Sequence, residues 1–207
     1  MNLKPARLLA AARLAVPAAA ALTMTVALAA PASASPAFVT RSGGEVRFAA
    51  LPGEVNTVTF NIVSGNVVVT DTTSTLTPGP GCVPLTPNSV RCGTSTGLSR
   101  IAATLGDQND SATNNTSAPS DLVGGDGDDR LIGGSGPDRL TDQDGWNASP
   151  GATTTFEGRG GSDVIISRNG GFDRIDCGET AFDFDVLVAD PATLDTGVPN
   201  SCEFVTR

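Results

Sequence analysis

The chain has 207 residues, with 13 Lys+Arg against 22 Asp+Glu, a formal net charge of −9. It contains no His and no Tyr, and its one lysine is Lys4. That balance argues against a nucleic-acid partner, because the phosphate term would be repulsive, and it leaves no imidazole for a triad or a general base.

Lys4, Arg7 and Arg13 precede an uncharged run from Leu14 to Ala30, and Ala32-Ser33-Ala34 supplies a small-x-small cleavage pattern. Residues 1–34 therefore read as a signal peptide removed on export, and the mature protein as secreted and extracellular. Pro17, Pro31 and the small-residue site argue against a retained anchor, so no membrane span is expected after cleavage. Losing three cations takes the net charge from −9 to −12. Cys82, Cys92, Cys177 and Cys202 all lie in the mature part and read as two disulfides. Three connectivities are open; Cys82–Cys92 with Cys177–Cys202 costs the least loop-closure entropy. A zinc site is a weak alternative, with no Cys-x-x-Cys and no His.

Residues 35–105 read as a small module of β-strands. Glu45 to Phe48 alternates, and Val58, Phe60 and Ile62 alternate with Thr57, Thr59 and Asn61, which would turn the first three toward a core. Gly65-Asn66 signals a turn into Val67–Thr70, so 54–71 is expected to be a hairpin. Residues 72–81, rich in Thr, Pro and Gly, are expected to be loop. Val90 to Cys92 and Leu98 to Leu105 are further short strands.

The grammar changes near Gly106. Gly124-Gly125-Asp126-Gly127-Asp128-Asp129-Arg130-Leu131-Ile132 runs without a gap into Gly133-Gly134-Ser135-Gly136-Pro137-Asp138-Arg139-Leu140-Thr141. Both fit G-G-x-G-x-D-x-U-x, where U is a large apolar residue. Glycine opens backbone angles closed to other residues and frees carbonyls to converge. Carboxylates and carbonyls together suit a hard cation with six to eight oxygens, calcium rather than zinc.

On these residues the chain resembles the hemolysin-type calcium-binding (RTX) repeat family. The resemblance implies an all-β fold, a short parallel β-roll of nonapeptide repeats preceded by the β-strand module. It implies turns stacked eighteen residues apart, with calcium between them held by Asp carboxylates and backbone carbonyls. It implies a β-roll over 106–176 and, as in many secreted repeat proteins of this kind, a disulfide-closed cap over 177–207, where Cys177–Cys202 would lock the end. The toxins of the family lack an N-terminal signal, so their activity and export route are not carried over.

Eighteen residues before Gly124, the segment Gly106 to Asp110 is expected to stack on 124–129 and bring Asp107 or Asp110 near Asp129. Asp142 to Asn147 reads as a decayed turn, with Trp146 covering the edge of the roll, and 148–157 as an inserted loop. The register resumes at Gly158–Ile166, with Arg159 in place of the second glycine. Gly170 to Ile175 is a partial unit, one residue out of step. The best metal ligands are Asp129, Asp138 and Asp163, each the sixth residue of a unit, followed by Asp173. Asp107, Asp110, Asp126 and Asp128 are candidate second ligands, and Gly124, Asp126, Gly133 and Ser135 candidate carbonyl donors.

The functional expectation is a secreted calcium-ion-binding protein in which calcium is structural, with a cell-envelope or matrix partner left open. A calcium-stabilised surface adhesin is one alternative. A secreted hydrolase working through paired carboxylates such as Asp183 and Asp185 is another. No Gly-x-Ser-x-Gly elbow and 4% aromatic residues disfavour the enzyme, and no enzymatic activity is expected.

Overall fold

A computed structural model describes residues 36–142, 152–178, 183–195 and 201–207. The segment 1–34 expected to be a signal peptide, Trp146 and most of the expected decayed turn at 142–147 lie outside the described residues.

Alternation makes the first strands. β1 (Ala37–Ser42) and β2 (Glu45–Ala49) pair antiparallel, burying Val39, Val46 and Phe48. β3 (Thr57–Val63) and β4 (Asn66–Asp71) form the expected hairpin. Its two turn residues, Ser64 and Gly65, have φ of 49° and 73°. That left-handed pair matches the twist of the flanking strands. Val58 and Phe60 are buried, but Ile62 is 41% exposed. The expectation that Ile62 faces the core is corrected here, because the neighbouring strand β9 (Ser111–Asn114) pairs with β3 only as far as Phe60. The segment 72–81 is not all loop, since Leu76–Pro78 forms β5 alongside β1. β6 (Val83–Thr86) and β7 (Ser89–Thr94) extend the hairpin's sheet.

From β8 (Arg100–Asp107) onward every pairing is parallel. The chain winds as successive coils: β8 with β9, β10 (Ser120–Asp126) with β11 (Arg130–Ile132), β12 (Asp138–Thr141) with β13 (Thr155–Glu157), and β14 (Val164–Ile166) with β15 (Arg174–Asp176). β16 (Val186–Val188) and β17 (Phe204–Thr206) continue the first sheet. One sheet runs β17-β16-β14-β12-β10-β8-β2-β1-β5 and the other β15-β13-β11-β9-β3-β4-β7-β6. The fold is an all-β parallel solenoid. β2 pairs parallel to β8, and β3 parallel to β9, so both sheets run unbroken past Gly106, which lies within β8.

The core is two columns of inward side chains. Phe48, Ala103, Leu122, Leu140, Ile165 and Leu187 align in one sheet, and Val58, Ala112, Leu131 and Phe156 in the other; each is at most 1% exposed. Ala103 stands in register with Phe48, so a small residue takes the place beside a large one and the layer fills without overpacking. The apolar phase read at Leu131, Leu140 and Ile165 is the core phase of the solenoid.

The coil length varies. β10 and β12 are eighteen residues apart, Ser120 opposite Asp138. β8 and β10 are nineteen apart, so Gly106 faces Gly125 and not Gly124. The extra residue lies in the turn from Asn114 to Ser120, which has one residue more than its counterpart from Gly133 to Asp138. The insertion between β12 and β13 ends earlier than the expected 157, because 155–157 is strand β13.

Cys82–Cys92 and Cys177–Cys202 are bonded, with Cα atoms 4.1 and 5.4 Å apart. Two disulfides fit an oxidising compartment rather than the cytoplasm. Among the described residues no helix is long and apolar enough to cross a membrane.

Candidate metal centre

The corners of the solenoid carry the acids. On the edge where the chain enters the β15-side sheet, each coil's corner residue donates its main-chain N–H to the corner side chain of the next coil. Asn56 donates to Asp110 at 2.7 Å, Asp110 to Asp129 at 2.8 Å, and Asp129 to the Thr154 hydroxyl at 3.2 Å. Thr154 donates to Asp173 at 2.9 Å and Asp173 to Asp195 at 3.2 Å. The opposite edge repeats the pattern. Ser120 donates to Asp138 at 2.7 Å, Asp138 to Asp163 at 2.8 Å, Asp163 to Asp185 at 2.8 Å, and Asp185 to Glu203 at 2.7 Å.

Two columns of carboxylates thus run the length of the roll. A corner N–H has no strand partner, and the Asp side chain is short enough to reach back and accept it. Asp110, Asp129, Asp138, Asp163, Asp173, Asp185 and Asp195 are all at most 7% exposed. The first glycine of each unit makes room for them. A Cβ at Gly124 would collide with the Asp129 carboxylate, one at Gly133 with that of Asp138, and one at Gly158 with that of Asp163.

The ion pairs among the described residues are Arg47–Glu45, Arg100–Asp121, Arg130–Glu157 and Arg139–Asp121, all on the outer faces. Asp110, Asp138, Asp163, Asp173 and Asp185 take part in none of them. The Oδ2 atoms of Asp110 and Asp163 are buried with no hydrogen-bond partner among the described residues. Coils stack ~4.8 Å apart, and like charges at that spacing repel by roughly 3 kcal/mol at an effective dielectric near 20.

The carboxyls respond accordingly. Burial pushes Asp163 up to about 8, and the charges of Asp138, Asp185 and Asp183 add to it. Burial pushes Asp110 up to about 7, against the lowering pull of the Asn56 N–H, with Asp71, Asp107 and Glu54 adding charge. Asp173 rises to about 7 by burial, with Asp195 and Asp142 beside it. Asp138 and Asp185 also rise, chiefly by burial. A cation between the coils would replace the missing solvation and neutralise the column.

The expected ligands divide into two groups. Asp110, Asp129, Asp138, Asp163 and Asp173 are corner residues of the two columns. Asp107 instead accepts the Gly53 N–H at 2.7 Å, which holds its carboxyl below the usual range. Asp126 stands in register with Asp107 and is exposed. Asp128 is exposed and accepts the Thr153 N–H at 2.7 Å. Gly124 and Gly133 lie against the carboxylates they accommodate, and Ser135 is exposed, its N–H donated to the Thr116 carbonyl. Of the two acids expected near Asp129, it is Asp110 that reaches it.

Thr154, Asp185, Asp195 and Glu203 complete the columns and were not among the expected ligands. Asp185 and Glu203 stand where the glycines of the motif have disappeared, so only the apolar residue two places on, Leu187 or Val205, marks their phase. Glu54, fully buried, is another raised carboxyl near Asp71 and Asp110, at the start of the first column.

A scan against protein-family models matches none, and searches of the curated proteins and of the solved structures return no match.

Proposed function

We propose that this is a secreted calcium-binding repeat protein of the hemolysin (RTX) type, in which calcium is structural and closes the coils of the solenoid. One observation carries the reading: two columns of buried corner carboxylates in which Asp110, Asp138, Asp163 and Asp173 have no ion-pair partner among the described residues. The ligands are Asp110, Asp129, Asp138, Asp163 and Asp173, with turn carbonyls from the glycine-rich units. Oxygen-only ligation by several carboxylates favours calcium over softer metals. The same side chains accept main-chain N–H groups within the corners, which supports a role in shape rather than in catalysis. Export through an oxidising compartment agrees with the two disulfides.

Extracellular calcium modules bind at ~10⁻⁴–10⁻³ M, so filling is expected in the millimolar range and coupled to folding. Circular dichroism and thermal melting of the mature chain, in chelator and in millimolar calcium, test this. The melting temperature is expected to rise with calcium. An unchanged melt and spectrum overturn the reading.

A further inference from the structure

The last coil carries a group of acids outside the glycine-rich units. Asp183, Asp185 and Glu203 present ligand oxygens that all lie within 4.8 Å of one another. That is the span of two oxygens facing each other across a cation with ~2.4 Å bonds. Asp185 is 1% exposed, and its Oδ1 already accepts the Asp163 N–H at 2.8 Å. Its Oδ2 is buried with no hydrogen-bond partner among the described residues. Glu203 spends one oxygen on the Asp185 N–H at 2.7 Å, which leaves the other for a ligand. The neighbour of Glu203 is Cys202, tied to Cys177, so the disulfide fixes where this carboxylate stands. Asp183 lies two residues before Asp185 at the same corner.

We propose that Asp183, Asp185 and Glu203 form a separate divalent-cation site, of calcium class, that fastens β17 to β16 at the end of the solenoid. The site uses a side chain, Asp183, at a place where a glycine-rich turn would offer carbonyls. Three carboxylates from two adjacent corners give the ion more charge than the single carboxylate of the 133–138 unit supplies. Oxygen-only donors and this spacing suit calcium better than zinc. None of its ligands lies in a glycine-rich unit, although Asp185 adjoins the neighbouring corner by accepting the N–H of Asp163.

A local probe tests it. Phe184, 56% exposed, lies between two of the ligands, so Phe184→Trp places a sensitiser within reach of a terbium ion bound there. Terbium emission above that of the unsubstituted chain is expected to saturate and to be displaced by calcium chloride. Asp183→Asn with Glu203→Gln, in the Phe184→Trp background, is expected to weaken terbium binding by at least about tenfold with an unchanged circular dichroism spectrum. If the double variant misfolds, Asp183→Asn alone decides, since its side chain is half-buried and Asn is nearly isosteric. No added emission, or emission indifferent to Asp183→Asn, overturns the site. A calcium-dependent rise in melting that Asp183→Asn abolishes, with terbium emission that titrates, keeps this site and loses the reading of the glycine-rich corners. The reverse result does the opposite.

Discussion

Asp163 accepts the main-chain N–H of Asp138 at 2.8 Å, although the two residues are 25 positions apart in the chain. The distance along the chain is set by the insertion before β13, while the contact is the one that repeats at every corner of that edge. Asp163 is fully buried, and its second oxygen has no hydrogen-bond partner among the described residues. The corner is therefore competent as a hydrogen-bond acceptor and unbalanced as a charge.

Asp163→Asn separates these two properties. The amide keeps an oxygen for the Asp138 N–H and removes the buried charge. In chelator at pH 8 the variant is expected to melt at or above the parent temperature. In millimolar calcium it is expected to melt below the parent, by the equivalent of ~1–3 kcal/mol. A loss of equal size in both conditions would show that the carboxylate has no metal to lose.

The pH response of the metal-free protein has a definite sign. Asp110, Asp163 and Asp173 have folded values of about 7, 8 and 7, above the ~3.9 of an unfolded aspartate. Between those limits the folded state holds protons that the unfolded state has released, so stability falls as pH rises. Melting of the metal-stripped chain is expected to be highest near pH 4–5 and lowest at pH 8. Calcium is expected to remove most of that decline, because the ion takes the place of the protons. Melting curves at pH 5 and pH 8, with and without calcium, check both statements.

Two non-glycine residues hold left-handed backbone in the corners. Gln108 has φ of 86° and Arg159 has φ of 73°, where the corresponding places in the 124–129 turn are Gly127 and Gly125. An L side chain there is strained. Gln108→Gly and Arg159→Gly are each expected to stabilise by ~0.5–1 kcal/mol despite the added flexibility of the unfolded chain. Arg159 also donates to Asn115 at 3.2 Å, so its gain is expected to be the smaller. Urea titration of the two variants measures the difference.

Opening Cys177–Cys202 removes a link that closes 25 residues. Its loss is expected to cost ~3 kcal/mol by the loop-entropy relation. Hydrogen exchange is expected to rise first in β16 and β17, which that link ties down. Replacement of both cysteines by serine, followed by exchange, tests the location as well as the size.

The central coils were legible because their information is local. Glycines at fixed offsets, an aspartate at the sixth place and one apolar residue per strand name both turn and core, as at 124–141. Corners that keep the contact but change the residue were not legible. Thr154 replaces an aspartate and follows an insertion, so neither identity nor spacing pointed to it. One additional residue in the 114–120 turn moved Gly106 from Gly124 to Gly125, since Asn114 stabilises the longer turn by accepting the Thr116 N–H at 2.9 Å and donating to the Ala118 carbonyl at 2.8 Å. The parallel pairing of β2 on β8 and β3 on β9 joins strands more than fifty residues apart, and no repeat announces such pairings.

Every main-chain hydrogen bond along the two carboxylate columns points the same way. The donor is the earlier residue and the acceptor the later one, from Asn56 to Asp195 and from Ser120 to Glu203. A chain that emerges N-terminus first therefore always carries one unmet donor on each edge at its newest coil. Each coil is finished only by the coil that follows it. Loss of residues from the C-terminal end uncovers a donor, whereas loss from the other end of the column releases an acceptor. The two ends of the solenoid are thus chemically unequal, and shortening the protein by one coil has a different cost at each.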